Sequence, residues 1–236
     1  MNEAYERPAI AVAVVLPALF LVCFFILGAA IDWPDSLNGS AIDYLPLVAA
    51  NADAVRLGYG FYLSASALHA VLAVLLTIHL GAGRRPWLAV AAVVGVLAGV
   101  FKMLGIARWL EAMPLLAGNL AAAPETTAIS YELLNNYAGV TLGEGIGVSL
   151  FTGLWFGLLA LAGGAPEASD ERALPGWLRG LFAVTALSSF PGFLGLYGLD
   201  APEWLVTVNG YLQYFGYWFL AAALFSRRAG REARPA

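Results

Sequence analysis

The stretch PWLAVAAVVGVLAGVFKMLGIARWLE, residues 86–111, decides what kind of molecule this is. Above its closing Arg108 and Glu111 it carries one charge, Lys102, the single lysine of the chain. About 20 mostly apolar residues suffice for a helix to cross the hydrocarbon core of a bilayer. A charge inside such a helix costs at least about 2.5 kcal/mol on insertion scales, so it persists where it is paired or lines a wet cavity. A second apolar run holds a lone glutamate, Glu144. These two residues mark the expected working centre.

The rest of the chain agrees with the membrane reading. Of 236 residues, 61% are hydrophobic and 12% are charged, against about 25% charged in soluble domains. Apolar runs repeat along the whole length, so the expected architecture is all-α, a polytopic transmembrane helix bundle forming a single domain over 1–236. Six segments qualify as spans, at roughly 8–31, 55–80, 86–111, 132–162, 176–199 and 203–226. The first run exceeds the ~7–15 residues of a signal-peptide core and follows the mixed-charge stretch Asn2 to Arg7, so it reads as a retained span. The one cysteine, Cys23, lies inside that run and has no internal partner for a disulfide or a thiolate cluster.

Charge sets the orientation. Cytoplasmic loops carry the excess of Lys and Arg. With six spans and both termini cytoplasmic, Arg7, Arg84, Arg85, Arg172, Arg179, Arg227, Arg228, Arg231 and Arg234 fall inside, nine of the twelve basic residues. Arg56 and Arg108 are left at outer helix ends, among Asp32, Asp35, Asp43, Asp53, Glu111, Glu125, Glu132, Asp200 and Glu203. Trp33, Trp87, Trp109, Trp177 and Trp204 stand at span boundaries, as an interfacial belt requires. The fourth helix is expected to begin early, because Pro124 suits a first helical position. From there to Ala162 there is no proline. Such a helix outruns the bilayer, so it either projects as a rod or breaks near Asn135–Asn136.

Counting from the outer ends gives depth. At 1.5 Å per residue, Lys102 lies roughly 13 Å below Glu111, and Glu144 roughly 15 Å below the Leu134–Asn135 boundary. The match allows a Lys102–Glu144 pair if the third and fourth helices touch. Gly139, Gly143 and Gly147 form one small-residue ridge, and Gly95 and Gly99 another, and such faces let helices approach closely. The same ridge would serve for docking a membrane-protein partner. Tyr59, Tyr62, Ser66 and His69 share one face of the second helix. Asn209, Gln213 and Tyr217 form a ladder on the sixth, with Gln213 level with the charged pair. The fifth offers Ser188, Ser189 and a Pro191-Gly192 break, which frees carbonyls that lipid cannot satisfy. Arg108 and Glu111 are spaced to pair at i, i+3.

Several chemistries are disfavoured. The two histidines, His69 and His79, share one helix, and there is no HExxH motif or Cys/His spacing, so no metal site is expected. Gly147-Val148-Ser149 lacks the second glycine of a nucleophile elbow and sits mid-helix. Glycine-rich phosphate loops are absent, and no nucleic-acid partner is expected. A Schiff-base role for Lys102 with Glu144 as counter-ion is disfavoured by its place on the third of six helices.

Two strings carry a family resemblance. They are Arg108-Trp109-Leu110-Glu111-Ala112-Met113-Pro114-Leu115-Leu116-Ala117 and Tyr137-Ala138-Gly139-Val140-Thr141-Leu142-Gly143-Glu144-Gly145-Ile146-Gly147. They resemble a bacterial membrane family catalogued as domain of unknown function 4386. The resemblance implies a six- or seven-helix protein of the bacterial inner membrane and points at Arg108, Pro114, Tyr137 and Glu144. It brings no established reaction or cofactor. Gly145 stands where histidine or another residue is expected in relatives, so no histidine chemistry is carried over.

Three functions stay open at this point. The leading expectation is a chamber, open to the outside, that binds a small polar or amphipathic ligand, as a transporter would. Lys102 and Glu144 form its charged floor, Arg108 its mouth, and Tyr62, His69, Tyr137, Asn209, Gln213 and Tyr217 complete the binding set. The second is an accessory subunit of a larger membrane complex. The third is an intramembrane enzyme acting on lipid or isoprenoid, with Glu144 or His69 as acid or base.

Overall fold

In lipid, every backbone polar group must be satisfied within the chain, and helices do this segment by segment. The computed structural model describes residues 2–37, 39–164, 173–199 and 202–233, and no strand occurs among them. Arg172, Asp200 and Arg234, counted in the charge balance, lie outside the described residues, as do the side chains of Arg84 and Glu203.

Helix α1 runs over Glu6–Ile31 and stops where Asp32 takes a left-handed conformation, its N–H returning to the carbonyls of Gly28 and Leu27. The short α2, Ala41–Ala50, starts at Ser40, whose side chain accepts from the Asp43 N–H. Helix α3 covers Ala52–His79. A tight turn through Gly81, at φ 91°, leads into α4, Pro86–Leu110, with its proline in the first turn. Next come α5, Ala112–Asn119, and α6, Pro124–Leu134. The latter continues without interruption into a π-helical segment, Asn135–Phe151, and then into α7, Thr152–Ala162. Helices α8, Gly176–Leu194, and α9, Glu203–Glu232, complete the chain.

The long helices close into a ring. Helix α1 packs on α3, α3 on α4, and α4 on the π segment and α7; these pack on α8, α8 on α9, and α9 returns to α1. Arg231 pairs with Glu6 across that last contact, so the first and last helices end side by side. At the opposite end, α2, α5 and α6 pack together as a cap. The two ends are called here the arginine end and the cap end.

Two apolar clusters fill the ring. The one toward the arginine end centres on Trp155, Phe156, Phe182, Tyr217 and Leu220. The one toward the cap centres on Leu27, Trp33, Leu45, Tyr59, Trp109 and Tyr131.

Among the described residues, five helices are long and apolar enough to cross a membrane: Glu6–Ile31, Ala52–His79, Pro86–Asn119, Pro124–Ala162 and Gly176–Tyr197. The segment expected as a sixth span, 203–226, is helical but falls outside that set. Asn209, Gln213 and three tyrosines dilute its apolarity, and the two amides are buried against the ring rather than turned to lipid.

Other expectations change in detail. Loop 112–131 is mostly the helices α5 and α6, and loop 32–54 contains α2. At the break anticipated near Asn135–Asn136, the helix changes type and continues without interruption. Of the five boundary tryptophans, Trp87, Trp177 and Trp204 are exposed, but Trp33 and Trp109 are buried. Trp109 stacks on Tyr59 at 4.9 Å between centroids, so it is a core residue rather than a belt residue.

Candidate functional site

The site is built on the seam between α4 and the π segment. A Cβ placed on Gly105 would stand 2.6 Å from the Cα of Gly143, and one on Gly147 would stand 2.8 Å from the Lys102 backbone nitrogen. A Cβ on Gly139 would collide with the Arg108 guanidinium. The ridge Gly139, Gly143, Gly147 therefore packs against Arg108, Gly105 and Lys102 of the same chain, which leaves it no free face for a partner. Of Gly95 and Gly99, expected to complete that seam, Gly95 meets the same rod farther along, at Trp155 of α7, as well as Ala73, whereas Gly99 faces α3 at Ser66 and Ala70. Gly105 takes their place.

The π geometry is supported by side chains. Thr141 donates to the Asn136 carbonyl at 3.0 Å and Thr152 to the Gly147 carbonyl at 2.8 Å, both five residues back. π turns are rare and often mark functional sites.

Beside the seam lies a cleft lined by Tyr59, Tyr62, Lys102, Arg108, Trp109 and Glu144, among others. Its internal volume is about 30 Å³, and its open mouth brings the empty space to about 330 Å³. Lys102 is 6% exposed. Glu144, on the opposite wall, is exposed. No ion pair within 4.0 Å joins them, so the expected Lys102–Glu144 pair is not formed. The seam explains this: Gly147, not Glu144, sits against Lys102, and Glu144 is turned toward the cleft.

Arg108 is held rather than free. Its Nη1 donates to the Gly105 carbonyl and its Nη2 to Asn135 Oδ1 at 3.0 Å. Asn135 in turn donates to the Leu37 carbonyl at 2.6 Å, and the Tyr131 hydroxyl reaches the Ser36 carbonyl at 3.4 Å. The guanidinium lies 5.5 Å from the Trp109 ring centre, a cation–π arrangement. The i, i+3 pair with Glu111 is replaced by these contacts. Within the cleft wall, Arg108 Nε, Tyr59 Oη and Trp109 Nε1 are buried without a hydrogen-bond partner. Leaving such a group unmet costs roughly 1–3 kcal/mol.

The remaining site candidates separate from the cleft. His69 Nδ1 and the Tyr217 hydroxyl are 2.6 Å apart, with Trp155 packed at 4.7 Å from the His69 ring. The three belong to the aromatic layer that fills the ring toward the arginine end. Asn209 Nδ2 donates to Ser188 Oγ at 2.7 Å, Ser189 Oγ at 2.9 Å and the Thr185 carbonyl at 3.0 Å. Gln213 Nε2 donates to Asn209 Oδ1 at 2.7 Å and to the Val148 carbonyl at 3.3 Å. These amides tie α9 to α8 and to the back of the cleft wall. Tyr137 is 63% exposed and does not line the cleft.

The structure thus brings together Lys102, Arg108, Glu144 and Tyr62, and leaves His69, Tyr137, Asn209, Gln213 and Tyr217 outside the cleft. It adds Tyr59, Trp109 and Asn135. Tyr59 was visible on the Tyr62 face of α3. Asn135 had no signal beyond standing at the helix change.

A family model described as Domain of unknown function (DUF4386) matches residues 11–188. The chain belongs to this family. The matched region runs from α1 through most of α8 and includes Lys102, Arg108 and Glu144, whereas α9 lies beyond it. Of the residues to which the resemblance pointed, Arg108 and Glu144 share the cleft of this DUF4386 protein, while Pro114 sits in α5 and Tyr137 on an exposed face. No curated protein and no solved structure matches the chain.

Proposed function

We propose that this multi-pass membrane protein binds a small polar or amphipathic ligand in the chamber between α3, α4 and the π segment, with transport as the use that fits such a chamber. One observation carries the reading: Lys102 and Glu144 line the same cleft without pairing. Ionisable groups inside a membrane bundle normally pair with each other or face a water-filled pathway. Here they are left to water or to a ligand. Beneath them, the layer of Trp155, Tyr217 and His69 closes the ring toward the arginine end. The arrangement is that of a vestibule reached from the cap end. In the same reading α9 is a sixth span, both chain ends lie in the cytoplasm, and the cap faces outward, because arginines gather at one end.

The test is cysteine accessibility in whole cells. Cys23 is replaced by alanine, and Glu144→Cys is treated with a membrane-impermeant thiol reagent from outside. Labelling of Glu144→Cys, with His69→Cys silent, is the expected result. If Glu144→Cys stays unlabelled while a cysteine in α2 reacts, the vestibule is wrong. If instead a cysteine at Arg228 is labelled from outside, the orientation is inverted.

A further inference from the structure

The chamber's own groups specify the charge of what it holds. Two cations, Lys102 and Arg108, line the cleft against one carboxylate, Glu144. With each group in its ordinary ionised form, the surplus is one positive charge. Three hydrogen-bond donors of the wall, Tyr59 Oη, Arg108 Nε and Trp109 Nε1, are buried and unpartnered. The lysine carries three further N–H donors and no acceptor. Both Nη groups of Arg108 are engaged with Gly105 and Asn135, so Arg108 contributes charge and Nε rather than its fork. The wall beside Lys102 therefore offers a cation and several donors; the phenol oxygens of Tyr59 and Tyr62 also accept, and the one carboxylate is Glu144 at the exposed side.

We propose that the chamber takes a monovalent carboxylate, its head group seated between Lys102 and Tyr59 and its remainder directed toward the mouth past Glu144. The assignment rests on the chamber reading above and narrows it. A monoanion cancels the surplus charge, where a cation or a neutral group would leave it in place. A carboxylate accepts several hydrogen bonds at once, which matches a lysine of α4 and a phenol of α3 lining one cleft. The internal volume of about 30 Å³ holds a head group and not a whole ligand. Two sources share this chemistry: a free organic acid entering from water, and a fatty acid entering from the bilayer.

The experiment uses the full-length protein in lipid nanodiscs. Binding is titrated with butyrate, laurate, butylammonium and butanol, which separate charge from chain length. Butyrate binding without butylammonium or butanol binding supports a free acid, and laurate binding alone supports a membrane-borne one. Lys102→Met is expected to weaken binding by about tenfold or more, as loss of a charge-assisted hydrogen bond does. Tyr59→Phe is expected to weaken it by about threefold. Glu144→Gln is expected to tighten it, because a like charge is removed, and no general loosening of the fold would do that. If butylammonium binds, with Glu144→Gln abolishing it and Lys102→Met leaving it intact, the anion assignment fails and the chamber survives. If none of the four probes binds to folded wild-type protein, both are overturned.

Discussion

The two halves of the ring use the same six rods in opposite ways. Toward the arginine end, Trp155, Phe156, Phe182 and Tyr217 fill the interior, and His69 has a tyrosine hydroxyl at 2.6 Å. Toward the cap, the α4–π seam spends its interior positions on glycine, and the space so released is occupied by Lys102, Glu144 and an opening. One half is packed with aromatic rings; the other gives up packing to hold charges. The difference shows where a membrane bundle of this size can keep ionisable groups. They stand beside a glycine seam, because there two backbones meet and leave side-chain space on one flank only.

That contrast can be broken at several points. The largest effect is expected from Gly105→Leu, which drives a side chain into the Gly143 backbone. Overpacking in a well-packed interior costs about 1–3 kcal/mol and occasionally more, and backbone contact puts this case at the top of that range. Loss of a monodisperse peak on detergent size exclusion, rescued by the milder Gly105→Ala only in part, is the readout. Trp155→Ala should cost about 3 kcal/mol through the cavity it leaves, seen as a shifted SDS-unfolding midpoint. A cavity-tolerant response there would mean that the arginine-end half is looser than described. Asn209→Leu removes the amide that joins α9 to Ser188, Ser189 and Thr185, and should cost about 1 kcal/mol, in keeping with interhelical hydrogen bonds in membranes. It should leave labelling at Glu144→Cys unaltered.

The smallest and most telling change is Lys102→Met. A buried charge without a partner is a liability, and an apolar isostere removes it. Stability should be unchanged or raised by up to about 1 kcal/mol. A drop comparable with that of Trp155→Ala would mean that Lys102 serves the fold, and the contrast between the halves would collapse.

Much of this was legible in the chain. Composition and run length gave the helical membrane class, and glycines spaced by four gave the seam on the π segment. The shared face of Tyr59, Tyr62, Ser66 and His69 on α3 is real, since Tyr59, Ser66 and His69 are all buried. What spacing could not give was the partner of each face. Counting depth along α4 and the fourth helix placed Lys102 and Glu144 at one level, but pairing depends on rotation about the helix axis. The α-to-π change at Asn135 alters that rotation for every residue after it. Hence Gly147 rather than Glu144 meets Lys102. Similarly, a tryptophan beside an arginine at a helix end reads as a belt residue. Only the packing of α3 against α4 reveals that Trp109 is stacked inward on Tyr59. The amides of α9 had the right depth for the chamber, yet a nearer set of acceptors, on α8, takes them first.

The meeting of α1 and α9 has a consequence for connectivity. The ring closes on itself, and Glu6 and Arg231 hold its two ends together at one face. Each rod has two neighbours, and the first and last are no exception. Closely spaced ends make circular permutation tolerable. A chain reopened at the turn around Gly83, with a short linker from the end of α9 to the start of α1, should assemble the same ring. Helix order would then belong to the loops, and the fold to the interfaces.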